Sequence, residues 1–533
     1  MNNSLIIIFI SLFLFGLGYY WYAKKLESLW EVDPKRPTPA VTKYDGIDYV
    51  PAKNWLVLFG HHFSSIAGAG PIIGPTIACL VWGWLPALLW IILGTVFIGG
   101  AHDFGSLITS VQEEGVSLPQ IAEKTISLKA KIFFSLFVWL SLILVIAVFA
   151  FLCADTFVKE PKIIVPSLGL IPVAILIGFF LYFKKINSFL TTILGITLLF
   201  SLIYLGYYLP VSLGKYSLYI WLTILFIYAY FASVLPVNIL LQPRDYLSGY
   251  LLFLGLGVGL LGVFISRPII KMPAYLNWNT DNGWLWPMLF VTVACGAISG
   301  FHSLIAGGTT SKQLSNENTA RKIGYGAMVA EGLLATIVVI AVASLNLPKE
   351  NLAYYLKSRG PISIFSQGYE NITSVFFKKS GFFAVLILNA FILTTLDTAT
   401  RICRYITEEL FNIRRRFVST LIVIVASAIL AFSKKWLKIW PAFGAANQLV
   451  ASLSLFLISI WLMKKKKSSL FTLPIAFFML FTTIAALVFQ IIECIFHKEY
   501  LLFIICILLI IFSGLMFKEI MDKIYNLNKI KQL

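Results

Sequence analysis

The sequence predicts an all-α polytopic membrane protein with about fifteen transmembrane helices. Three observations carry that reading. Of 533 residues, 59% are hydrophobic and only 12% are Asp, Glu, Lys or Arg, about half the charged fraction of an ordinary soluble domain. Mean hydropathy is +0.87. Apolar runs of roughly 20 residues, each enough to cross the hydrocarbon core, follow one another along the chain. A soluble chain would need far more polar surface to cover its cores.

The first run, Ser4 to Ala23, has no basic residue before it and ends in Tyr19-Tyr20-Trp21-Tyr22. It reads as a retained anchor with interfacial aromatics, since a cleaved signal has a basic start and a small-residue cleavage site. The other spans fall at roughly 59–81, 86–111, 129–154, 163–183, 189–209, 216–241, 248–266, 285–311, 324–345, 381–400, 417–432, 440–463, 471–493 and 500–517. This divides the chain into an anchor and loop at 1–58, a core at 59–412 and further C-terminal helices at 413–533. With the N-terminus outside and the C-terminus cytoplasmic, roughly twice as many Lys and Arg lie on the cytoplasmic side as outside. The 42 basic residues against 24 acidic ones therefore report orientation, not a nucleic-acid partner; runs such as Lys464 to Lys467 sit between apolar segments. The long outer loop from Asn346 to Ser380 reads as a small lid rather than a bare turn. The six cysteines lie in or beside apolar segments without a C-x-x-C pair, as small buried hydrophobes would.

Two spans look interrupted. The second contains Gly60-His61-His62 and then Ala67-Gly68-Ala69-Gly70-Pro71; the seventh contains Ser233-Val234-Leu235-Pro236-Val237-Asn238, followed by Gln242-Pro243-Arg244-Asp245. Proline removes a backbone donor and glycine relaxes the helix. An odd number of spans separates the two, so the breaks enter the membrane from opposite sides. That is the pattern of a 5+5 inverted repeat whose halves each open with a broken helix around a mid-membrane site. Packing kinks are the plainer alternative for either break alone.

Polar groups at membrane depth need a reason. His61, His62, His102 and His302 fall within spans or at their ends, and His102 is followed by Asp103. Three readings stay open: neutral histidines bonded to backbone carbonyls, a proton relay aided by Asp103, or a metal site. No ligand pair at helical spacing supports the last, so no metal is expected. Glu331 has no local cation and either faces a water-filled vestibule or is a protonatable coupling group. Asp397, four residues before Arg401, has the spacing of a helical ion pair. The Ala306 carbonyl with the hydroxyls of Thr309 and Thr310 would form an oxygen cluster suited to sodium, unless those hydroxyls bond their own backbone. Gly257-Val258-Gly259-Leu260-Leu261-Gly262 matches a dinucleotide glycine pattern but lies inside an apolar span, where small residues serve helix packing.

Several blocks together carry a family resemblance: Gly60-His61-His62-Phe63 running into Ile66 to Pro71, His102-Asp103-Phe104, Leu241 to Tyr246, Ser299-Gly300-Phe301-His302-Ser303, Thr309 to Leu314, Ile323 to Gly326, Asp397 to Arg401 and Phe443 to Gln448. With these the chain resembles the carbon starvation protein A family. The resemblance implies an APC/LeuT-like inverted-repeat secondary transporter in the bacterial inner membrane, importing peptides or pyruvate and linked to carbon starvation. Ser64-Ser65 stand where small apolar residues are expected. The expected substrate contacts are His61, His62, Ser65, Gly68, Gly70, Ser233, Asn238 and His302. Proton or sodium coupling is assigned to His102, Asp103, Glu331, Ala306, Thr309 and Thr310, and gating or structural ion pairs to Arg244-Asp245 and Asp397-Arg401. No cofactor, enzyme activity or nucleic-acid partner is expected; the bilayer, a small molecule or peptide, and a second copy of the chain are the candidate partners. A nutrient sensor with a transporter-like pocket and no net transport is the alternative.

Overall fold

The computed structural model describes residues 3–46, 49–52, 54–180, 184, 187–235, 240–376 and 378–532. Among them, twelve helices are long and apolar enough to cross a membrane, or thirteen with one bent pair counted as a single span. Two positions account for the difference from fifteen. The twelfth expected span is a helix of only 16 residues, Arg416–Ala431, and the ninth is not one continuous helix.

Helix α1 (Ser4–Leu29) starts where the Asn3 side chain accepts a hydrogen bond from the Leu5 amide, an N-cap. Its aromatic end divides: Tyr20 and Trp21 are exposed, while Tyr22 is buried and donates to the Phe97 carbonyl. The second span is broken as expected. α2 (Trp55–Ile66), capped by Asn54, gives way at Ala67 to α3 (Gly70–Val81), with a 47° bend between them. Pro71 dictates the break: it has no amide to bond the Ala67 carbonyl and its ring would strike that turn. α4 (Trp84–Gln112) carries a π-helical stretch, Gly94–Gly99, just before His102 and Asp103. Such a bulge turns the following side chains relative to a regular helix.

The middle of the bundle is built by α5 (Leu128–Lys159) and later helices. α6 (Pro161–Gly178) and α7 (Ser188–Tyr208) follow at the rim. The seventh span then departs from expectation. α8 ends at Val234 (Ser217–Val234), and α9 (Leu241–Ser266) begins early enough to include Pro243 in its first turn, with Arg244 and Asp245 just after it. Proline is tolerated there because no intrahelical acceptor awaits its amide. Ser233 thus sits at a helix end, not in a broken span, and Asn238 lies outside the described residues. The glycine pattern of α9 serves packing: a Cβ on Gly262 would lie 2.6 Å from the Ile372 carbonyl oxygen.

The interruption appears instead in the ninth span. After a short hairpin pairing Asn279–Thr280 with Gly283–Trp284, helical turns at Leu285–Leu289 and Phe290–Thr292 unwind at Val293 and resume as α10 (Gly300–Gly308). α11 (Ala320–Ala343) leads to α12 (Leu352–Thr373), so the expected lid is a helix, bent at Gly360 (φ 75°). It packs on α3, α9 and α11, and the Tyr369 hydroxyl donates to the Gly255 carbonyl. α13 (Ser380–Leu410), α14 (Arg416–Ala431), α15 (Trp436–Lys464), α16 (Leu473–Phe496) and α17 (Tyr500–Gln532) complete the chain.

Burial sorts these helices. In α15 every residue of the most apolar stretch is inside the protein, and in α5 and α13 it is 89%, against 22% in α7 and 33% in α17. Helices that are apolar all round belong either in a core or against lipid, and both kinds are present. All six cysteines are buried and unpaired. Just before α11 a strap closes: Arg36 pairs with the fully buried Glu317 at 3.0 Å, and the Asp33 amide donates to the same carboxylate.

Candidate functional site

The two interrupted spans lie against each other and run antiparallel. Gly74 abuts the Thr292 carbonyl, Gly70 abuts Cys295, the Ile66 carbonyl faces the His302 ring, and His62 meets Thr310. Contact positions rise along one chain segment as they fall along the other. The approach is close enough to exclude a side chain: a Cβ on Gly70 would sit 2.4 Å from Cys295. Gly68 is similarly tight, against Phe149 of α5 and Thr395 of α13.

Unwinding frees backbone groups that must be satisfied away from water. At Val293–Ser299 side chains from α4 and α15 do so. Trp90 donates to the Val293 carbonyl, Thr95 to the Gly296 carbonyl, and Gln448 to the Phe290 carbonyl. Asn447 accepts from the Phe301 amide at 2.9 Å and donates to Ser299 Oγ at 3.0 Å. The break in the second span is less completely furnished. Beside it lie buried polar atoms without a hydrogen-bond partner, including Thr395 Oγ1 and His62 Nε2.

His102, Asp103, His302 and Glu331 come together from α4, α10 and α11 as one buried chain. One Asp103 oxygen lies 2.7 Å from His102 Nδ1 and the other 2.8 Å from His302 Nδ1, and His302 Nε2 lies 3.2 Å from a Glu331 carboxylate oxygen. All four side chains are fully buried, so Glu331 faces the three others and not an open vestibule. The adjacent His61 and His62 diverge by the helical pitch of α2. His62 Nδ1 is 2.8 Å from Thr310 Oγ1. His61 turns the other way, receiving the Gln313 amide at 3.3 Å and approaching Asp245 at 3.7 Å.

A second buried cluster joins α8, α9 and α13. Arg244 bonds Asp397 and the Tyr228 hydroxyl, and lies 3.4 Å from Asp245. Tyr228 also donates to Asp397 at 2.6 Å. This corrects the expected Asp397-Arg401 pair. Arg401 instead donates to the Ala232 and Leu235 carbonyls at the end of α8, where unpaired carbonyls and the helix dipole attract a cation. The Ala306, Thr309 and Thr310 oxygen cluster is corrected too. The helix ends at Gly308, which breaks the assumed spacing; Thr309 donates to the Ile305 carbonyl and Thr310 meets His62. Ser65 bonds the His61 carbonyl within its own helix, and Ser233 is buried without a partner. Among the described residues no group of three or more His, Cys, Asp or Glu is arranged to hold a metal ion.

Sequence reasoning missed Cys295, Asn447, Tyr228 and Thr395. For Asn447-Gln448 a signal existed, two adjacent amides inside an apolar span. Tyr228 and Thr395 are ordinary residues of membrane helices and carried none.

Comparison with known proteins agrees with this architecture. The family model for "Carbon starvation protein CstA" matches residues 3–352 and 351–486. The pyruvate/proton symporter BtsT of Escherichia coli (strain K12) is 30% identical, across 87% of this chain and 78% of its own length. The peptide transporter CstA of Bacillus subtilis (strain 168) is 29% identical, across 85% and 84%. Among solved structures, the Eremococcus coleocola manganese transporter in complex with an aromatic bis-isothiourea substituted compound superposes with a TM-score of 0.52, covering 91% of this chain and 99% of that one. At 14% identity that likeness is one of fold.

Proposed function

Since the chain belongs to the carbon starvation protein CstA family, we propose that it is a secondary active importer of pyruvate or short peptides, driven by a proton or sodium gradient across the bacterial inner membrane. The observation that carries the reading is the antiparallel meeting of two interrupted helices at Gly70 and Cys295, deep among buried helices. In transporters built from inverted repeats, such a joint holds the solute and is the place about which the halves rock. The repeat pairs α2-α3, α4, α5, α6 and α7 with the interrupted Leu285–Gly308 segment, α11, α13, α14 and α15. First members meet at the joint, and third members, α5 and α13, pack together. α8 and α9 are then an insertion between the halves, and the transport core extends beyond residue 412 to include α14 and α15.

The solute lies beside Gly68 and Thr395, where the hydroxyl and His62 Nε2 are unpaired. The N-terminus of α3 points its amides toward the same place and favours a carboxylate, which pyruvate and a peptide C-terminus share. Purified protein in proteoliposomes, given labelled pyruvate or dialanine under an imposed proton or sodium gradient, is the test. Gradient-stimulated uptake of at least one probe is expected; uptake of neither, in vesicles carrying folded protein, refutes the proposal.

A further inference from the structure

The chain Glu331–His302–Asp103–His102 has a proton count that its geometry constrains. Each imidazole sets its Nδ1 against a different oxygen of the one Asp103 carboxylate; with Asp103 ionised, each ring carries a proton on Nδ1 and leaves Nε2 as an acceptor when neutral. At His302 that acceptor faces a Glu331 oxygen 3.2 Å away, and neither Glu331 oxygen has a hydrogen-bond partner. An ionised carboxylate against a bare imidazole nitrogen, both out of contact with water, would be strongly unfavourable. One proton therefore belongs between them, with two alternative seats.

Among the described residues no Lys or Arg forms an ion pair with Asp103 or Glu331. With that proton gone, the cluster holds two carboxylates and no cation, a costly state at membrane depth. The other titratable groups facing it are His62 of α2, whose Nδ1 is engaged by Thr310, and Cys295 in the second interruption. Neither supplies a compensating positive charge in its neutral form.

His302 is also the mechanical centre of the joint. It lies at the start of α10, is tied to α4 through Asp103, reaches α11 through Glu331, and faces the Ile66 carbonyl at the end of α2. Four helices thus sense the charge of one ring. We propose that Glu331 and His302 form the seat of the coupled proton, and that Asp103 and His102 are positioning residues that hold His302 ready to receive it. The proton passes when the Glu331 O–H bond breaks and an N–H bond forms at His302 Nε2, leaving a carboxylate and an imidazolium flanked by Asp103. This rests on the transport reading above and names its coupling ion.

The experiment compares wild type with Glu331→Gln in proteoliposomes containing a trapped pH indicator, with labelled pyruvate and dialanine as probes. Accumulation driven by a pH gradient should fall roughly tenfold or more in Glu331→Gln, with counterflow exchange kept within about twofold, because only the link between proton and solute is cut. Substrate-dependent acidification of the lumen should vanish with it, and Glu331→Asp should restore part of both. Gradient-driven accumulation that survives in Glu331→Gln overturns the proposal. So does loss of exchange together with accumulation in a folded variant, which would make Glu331 structural. Should Glu331→Gln fail to fold, wild type decides: gradient-stimulated uptake of a probe without acidification of the lumen overturns the proposal. Wild type that accumulates a probe on a sodium gradient alone leaves the transport reading standing and removes this one; wild type that moves neither probe removes both.

Discussion

Replacing Gly70 by alanine tests the joint directly. The added Cβ would lie 2.4 Å from both Cβ and Sγ of Cys295, and the next nearest atom, Cys295 Cα, is 3.7 Å away. Carbon contacts settle at about 3.5–4.0 Å, so α3 and the second interruption must part by roughly 1 Å. Gly70 does not have a positive φ, so the effect is steric and not conformational. Both partners are held by backbone, which makes the crowding costly; overpacking of this kind destabilises by about 1–3 kcal/mol. Gly70→Ala should therefore lower the unfolding midpoint of the purified protein in detergent and slow uptake in proteoliposomes. Adding Cys295→Gly removes both offending atoms and leaves an ordinary 3.7 Å contact, so the double variant should recover much of the lost stability. A Gly70→Ala protein as stable as wild type, or a double variant no better than the single, would mean that the two interruptions do not touch.

Two further outcomes are expected. Arg244→Met strands Asp397 and Asp245 without their cation and should cost about 3–5 kcal/mol in denaturant unfolding in micelles; Asp397→Leu in that background should return part of it, and additive losses would dissolve the pair. At the surface, the Glu499 carboxyl is held below the usual carboxylate range, first by the Lys435 hydrogen bond and then by Lys438. Its contribution is complete above the unfolded value near about 4.3 and is lost as pH falls through the lower, folded value. Thermal stability of wild type should exceed that of Glu499→Gln at neutral pH and converge with it in acid; a constant gap down to pH ~3 would contradict the clamp.

The membrane class and the first break were legible because their causes are local. Pro71 cannot bond the Ala67 carbonyl, so one helix cannot run unbroken from α2 through it, and no tertiary contact can restore that amide. The second break was misplaced for the complementary reason. Val293–Ser299 contains no proline, and its unwinding is maintained by Trp90, Thr95, Asn447 and Gln448, far away in sequence. Pro243 pointed to the wrong helix because a proline in a first turn and one in a helix interior look alike in one dimension. The His102, Asp103, His302 and Glu331 group was named residue by residue from its burial in apolar runs, but its connectivity depends on three helices meeting. Asp397 and Arg401 had the right spacing to pair; a better partner for each, Arg244 and the end of α8, came from elsewhere in the chain.

The strap between Arg36 and Glu317 spans 281 positions of sequence. Arg36 precedes the first interruption and Glu317 follows the second, so the clasp closes one long loop that contains both. Losing it would open that loop at its base without touching a residue of either interruption.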